Sequence, residues 1–256
     1  MELNLHIPTA LHELTPKQLK FVSRLFLNQR METDFLLKAF LFFTELKLLT
    51  ERKPDEDGAR WFLHPSQRNP FIIDNEILAI MCNKCRFLLT PGEVKPIKWI
   101  RFARARHFRL YNVTFGEYLM AENFYFAYIE TKEERHLDNL MAVLYRAPWQ
   151  RYNEGKIQSR AQRFSTVPAE VKNSVFMWYV GFRAFVPKRC PSLFSRKKSS
   201  RPFTVRGYIN GMIHQLSDGD ITRRGTLEKQ PLWHALDEME QRAIDVEQEE
   251  MKMRKK

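Results

Sequence analysis

VTFGEYLMAENFYFAYIETKEERHLDNLMAVLYRAP, residues 113 to 148, is the stretch whose reading decides the fold. Thr114-Phe115-Gly116-Glu117 has the form of a capping box. The Thr114 hydroxyl would accept the amide three residues on, and the Glu117 carboxylate would reach back to the Thr114 amide. Tyr118, Ala121, Phe124 or Tyr125, and Tyr128 then recur at helical spacing and share one face. Thr131 reads as a second N-cap, with Glu133 and Glu134 at the positive end of the next helix. Leu137, Leu140, Met141, Leu144 and Tyr145 form that helix's stripe, and Pro148 is expected to close it. Two such helices joined by a short link bury their stripes against each other and the rest of the chain. The aromatic face is read as core, with an exposed groove for a partner as the alternative.

Working outward, the same grammar repeats. Thr15-Pro16-Lys17-Gln18 starts a helix with Leu19, Val22, Leu25 and Phe26 buried. Thr33-Asp34 starts another, with Leu36, Leu37, Phe40, Leu41, Phe43 and Leu48 apolar along it. Asn75 is expected to cap a helix through Ile77, Leu78, Ile80, Met81 and Leu88, closed by Pro91-Gly92. Thr166 to Glu170 opens one with Val171, Val175, Trp178 and Phe182 as its stripe. Residues 205–216 form a helical pattern weakened by two glycines. Pro231 opens the last helix, with Leu232, Leu236, Met239, Ala243 and Val246 at three- and four-residue steps. β structure is minor: a short strand before Pro8, a hairpin of 59–64 with 71–74, and a basic, β-prone segment from Val94 to Leu110. Residues 151–163 read as loop. The expected class is mainly α, in several helical hairpins with a minor β element; an α+β arrangement is the alternative. The expected organisation is a compact body over 1–186, a basic loop or linker over 187–206, and a C-terminal helical segment over 207–256.

A chain of 256 residues with 44% hydrophobic residues can bury a sizeable core. Phe is common (20) and Gly scarce (9), which favours helices over turn-rich sheets. The formal charge of +12 favours acidic partners, nucleic acid included. Three cysteines argue against a disulfide framework. The first residues lack the basic start and apolar run of a signal peptide, and Lys38 interrupts the best apolar run, Phe35 to Phe43. A soluble protein with no membrane partner is expected.

No phosphate-binding glycine loop, zinc-protease motif or nucleophile elbow occurs, so no catalytic residue is nominated and no enzyme is expected. Cys82-Asn83-Lys84-Cys85 lacks the second ligand pair of a structural zinc site and sits inside a helical pattern. Neither metal nor other cofactor is expected. Two segments are cationic. Lys95, Lys98, Arg101 and Arg104 alternate with Trp99 and Phe102, the mix a single-strand platform uses. Arg196, Lys197, Lys198 and Arg201 form a basic arm that would bind nucleic acid without sequence preference.

The phrases at 14–27 (LTPKQLKFVSRLFL), 35–49 (FLLKAFLFFTELKLL), 114–128 (TFGEYLMAENFYFAY), 137–149 (LDNLMAVLYRAPW) and 231–250 (PLWHALDEMEQRAIDVEQEE) resemble uncharacterised proteins of Bacteroidetes phages and prophages. Those are encoded in tail modules and look like tail assembly chaperones. The resemblance implies a non-enzymatic protein of the host cytoplasm that binds other phage tail proteins, such as a tape measure, during assembly. Exposed helix faces would do this work, with Leu232, Leu236, Met239, Val246, Tyr118 and Tyr128 as candidates. The alternative is a basic nucleic-acid-associated protein, or a structural virion subunit of neck, tail or packaging machinery.

Overall fold

The computed structural model describes residues 5–28, 31–49, 59–195, 205–217 and 220–254, and within them the chain is mainly α with a minor β part. Helices α1 (Pro16–Asn28) and α2 (Glu32–Thr44) lead into strands β1 (Lys47–Leu48), β2 (Arg60–Leu63) and β3 (Phe71–Ile73). Helix α3 (Asn75–Asn83) then precedes β4 (Trp99–Ile100) and β5 (Ala103–Ala105). The central pair is α4 (Phe115–Thr131) and α5 (Glu134–Leu144), followed by β6 (Tyr145–Arg146) and α6 (Ile157–Ala161). The chain closes with α7 (Ala169–Arg189), α8 (Pro191–Ser195), α9 (Val205–Ser217), α10 (Arg224–Leu227) and α11 (Leu232–Arg254).

The 59–64 and 71–74 runs pair as expected, with Trp61 opposite Ile72 in an antiparallel β1-β2-β3 sheet. Residues 5–7 are not a strand, and the rest of that expected strand lies outside the described residues. At the start of α1, Thr15 and Gln18 exchange both capping-box bonds. Helix α2 begins at Glu32 rather than after Thr33 and ends at Thr44, where Glu45 turns left-handed, so Leu48 pairs in β1 instead of extending the helix. Asp74, not Asn75, caps α3 by accepting the Glu76 amide.

Thr114 caps α4 by accepting the Glu117 amide at 3.3 Å. The next free amides of that first turn, Phe115 and Gly116, donate to the carbonyls of Gln230 and Glu228. The loop before α11 thus completes the cap, and the Leu232 amide returns a bond to the Val113 carbonyl at 2.9 Å. Thr131 does not start α5. Its hydroxyl bonds the Ala127 carbonyl inside α4, Lys132 turns left-handed (φ 58°), and Glu133 is the N-cap. Nor does α5 run to Pro148: Tyr145 and Arg146 are extended because β5 pairs with them.

Helix α7 sits at the centre. Lys172 to Val175 are buried in succession, so neighbours cover the helix on several sides. Asn173 donates to the Ser23 carbonyl of α1, and the Trp178 indole to the Phe108 carbonyl. The helix continues through Pro187 to Arg189, and Pro191–Ser195 is helical again, where loop was expected. The cause lies in α11: Glu240 accepts the Ser192 and Leu193 amides at 2.9 and 2.7 Å, and Asp237 pairs with Arg189 at 3.0 Å. Residues 196–204, the rest of that expected loop, lie outside the described residues. Residues 154–161 are also helical rather than loop, because Ile157 and Ala161 bury against α5.

Gly181 makes the packing of α7 close. A Cβ there would lie 2.1 Å from the carbonyl oxygen of Gly92. In an open helix interior Gly→Ala stabilises by up to about 1 kcal/mol. Here the backbone of the 92 loop must move, so Gly181→Ala should destabilise the protein by about 1–3 kcal/mol in urea unfolding. An unchanged or raised midpoint would mean that α7 and that loop are not in contact.

Candidate functional site

The second sheet, β4-β5-β6, sorts its residues by face. Trp99 opposes Arg104, which opposes Arg146, while Ile100 opposes Ala103. Cross-strand partners share a face. Ile100, Ala103 and Tyr145 point to the core, where the Tyr145 hydroxyl donates to the Ile97 carbonyl at 2.9 Å. Trp99 and Arg104 point out. Arg101 holds the β4–β5 turn in a left-handed conformation (φ 54°) and donates to the Thr166 hydroxyl. That turn carries Phe102 into solvent.

The outward face gathers the cations nominated from sequence. Lys95, Lys98, Arg101 and Arg104 are all exposed. Trp99 is 46% exposed and Phe102 64%, and beyond β6 Trp149 is 80% exposed. Between the sheet and the chain after it lies a cleft of about 390 Å³, walled by Lys95, Lys98, Arg104, Arg106, His107 and Arg146, with no carboxylate in its lining. Among the described residues, Lys95, Lys98, Arg104 and Arg106 have no carboxylate at ion-pair distance. Arg109, at the end of the same basic segment, is different: it pairs with Glu93 at 3.0 Å and stacks on Phe185.

Behind the cleft is a group that sequence reasoning assigned another role. The Glu117 carboxylate does not reach back to the Thr114 amide. It is buried and takes Arg146 Nη2 on both oxygens, at 2.9 and 3.0 Å. Burial pushes its pKa from 4.5 up to about 7, against the pull of Arg106 and Arg160. Tyr152 covers the pair, its ring 5.3 Å from the Arg146 guanidinium. Arg146, Arg160, Tyr152 and Trp149 were not nominated from sequence. Arg146 follows the apolar stripe of α5 and Arg160 sits in a polar run, so spacing alone gave no sign of either.

The face expected to hold a protein partner is mostly interior. Tyr118, Leu232, Leu236 and Met239 are buried, because α11 lies across α4, α8 and α9. Tyr128 is half-buried, with its ring 5.1 Å from Phe176. Val246 is exposed. Arg196, Lys197, Lys198 and Arg201 lie outside the described residues. Cys82 is half-buried and Cys85 buried, and burial pushes their thiols up to about 11 and about 12. Among the described residues no cluster of three metal-ligating side chains occurs, and no helix is long and apolar enough to cross a membrane.

The raised Glu117 pKa fixes a sign. The folded state holds that proton more tightly than the unfolded chain, so the stabilisation is complete below about pH 4.5 and fades as pH rises to 7. Wild type should therefore lose stability relative to Glu117→Gln across that range in urea unfolding. Arg146→Met should cost about 3–5 kcal/mol at pH 8, where it orphans a buried charge, and less at pH 5. Parallel pH profiles for wild type and Glu117→Gln would contradict the assignment.

No protein-family model, curated protein or solved structure matches this chain.

Proposed function

We propose that the protein binds single-stranded nucleic acid across the outer face of the β4-β5-β6 sheet, as a binding protein rather than an enzyme. One observation carries the reading: unpaired cations and exposed aromatic rings share a single hairpin beside a carboxylate-free cleft. Cations that neutralise phosphates gain affinity by releasing counterions, and flat rings offer each base a stacking surface whatever its identity. Exposed tryptophan and phenylalanine lose the apolar burial they would have in a core, which favours a face that is covered in use. The Arg196–Arg201 cations, close in sequence to the end of α8, would add to the same non-specific attraction.

A second reading keeps the tail-assembly role implied by the resemblance to phage proteins. The far end of α11 supports it. Beyond the buried stripe, Val246 and Met253, seven residues apart, are exposed on one face of the helix, a surface that a partner helix or groove could cover.

Fluorescence anisotropy with labelled single- and double-stranded DNA, at low and near-physiological salt, separates the two. Single strands should bind more tightly and keep measurable affinity at the higher salt. Trp99→Ala and Phe102→Ala should each cost about 1–3 kcal/mol if their rings stack on bases. Lys98→Ala should flatten the salt dependence by about 0.7 in the log–log slope. Loss of all binding at near-physiological salt would remove the nucleic-acid reading and leave the α11 surface as the one to pursue.

A further inference from the structure

The cations behind the cleft outnumber the groups that answer them. Arg106, Arg146 and Arg160 gather around Glu117, the carboxylate paired with Arg146. Arg146 is 5% exposed and Arg160 7%, so neither guanidinium is solvated as a surface arginine is. Among the described residues several of their donors have no partner: Nε of Arg106, Nε and Nη1 of Arg146, and Nε of Arg160. Arg160 otherwise donates to the Asn153 carbonyl at 3.0 Å, and Tyr152 stacks over both Arg146 and Arg160. Buried donors left empty are costly, so a cluster of them favours a partner that can accept from them. Arg146 links two spaces: it walls the cleft of about 390 Å³ with Arg106, and a gap of about 30 Å³ with Arg160 and Arg163. The gap has room for a water; the cleft has room for a tetrahedral oxyanion.

We propose that Arg106 and Arg146, which both line the cleft, form a seat for one phosphate group there, with the Arg160 charge behind them, and that the phosphate competes with Glu117 for Arg146. The inference rests on the nucleic-acid reading for its source, a phosphate of the bound strand, but the same chemistry accepts a free phosphate. Its acidity dependence follows from what faces Glu117. Arg146 comes from β6, Arg106 from the segment after β5 and Arg160 from α6. Tyr152 comes from the loop between them, within electrostatic reach of Glu154 and Glu228. An anion arriving among these cations repels the Glu117 charge, so seating takes up a proton and tightens as pH falls through neutrality.

Sulfate is the probe, because its charge does not change between pH 6 and 8. Thermal unfolding of the full chain should shift upward in sodium sulfate relative to sodium chloride at equal ionic strength. The apparent affinity should be several-fold higher at pH 6 than at pH 8. Glu117→Gln should keep the sulfate effect and lose its pH dependence. Arg146→Met should abolish it, and Arg106→Gln, altering a half-exposed side chain, should weaken it if the Arg146 variant does not fold. Identical curves in sulfate and chloride at pH 6 would overturn the seat, even if the protein binds DNA through the outer face. A short single-stranded oligonucleotide that displaces sulfate identifies the strand as the source. Sulfate binding without such competition, in a protein that also fails to bind DNA, retains the seat for free phosphate and removes the nucleic-acid reading.

Discussion

A carboxylate taken out of water must be answered inside the protein, and α4 buries two of them. Glu122 has no exposed surface; the Tyr179 hydroxyl donates to it at 2.9 Å, and Arg183 pairs with it at 2.9 Å. Burial pushes its pKa upward, with Arg183 pulling against that. Both partners stand on α7, so this one side chain sets the register of α4 on the central helix. Glu117, five residues earlier, turns toward the second sheet and is answered by Arg146. The two carboxylates therefore fix α4 between the helical core and the basic face. Removing either would leave a charge or donors unpaired in the interior, the costliest kind of local defect.

The basic face depends on that arrangement. Arg104 and Arg146 stand directly opposite each other on β5 and β6, and like charges in that position repel. The sheet tolerates them because Glu117 neutralises Arg146 from behind and Tyr152 covers it, leaving Arg104 to face solvent. The buried pair is thus a support for the exposed site. Its arginine forms part of the cleft wall while its carboxylate stands on α4, so a ligand in the cleft would act on that helix through one guanidinium.

Much of the fold was legible because the signals were local. Thr114 and Thr15 cap their helices, Val171, Val175, Trp178 and Phe182 are buried as a stripe, and the 59–64 and 71–74 runs pair. The misreadings share a cause: a distant partner overrode a local preference. Glu117 had the spacing of a capping box, but a buried arginine from β6 offered it more. Pro187 and Pro191 looked like loop, yet Asp237 and Glu240 from α11 hold those turns helical. Tyr145 had the helical spacing of its stripe, but strand pairing took it. For the candidate site, Lys95 to Arg104 announced itself through charge mixed with aromatics. Arg146 and Arg160 did not, since an arginine reads the same in a sequence whether it is solvated or enclosed.

Net charge gives a poor measure of where binding would occur. Two acids of α11 hold neighbouring elements, Asp237 on Arg189 and Glu240 on the α8 amides, and Glu238 pairs within the helix with Arg242. Among the described residues Lys95, Lys98 and Arg104 have no such duty, while Arg101 holds its turn and Arg106 faces Glu117. At physiological ionic strength charges farther apart than about 8 Å are screened from one another. An approaching polyanion therefore senses the density on one hairpin rather than the sum over the chain. That density would set how tightly a strand is held, and the positions of Trp99 and Phe102 would set how it lies.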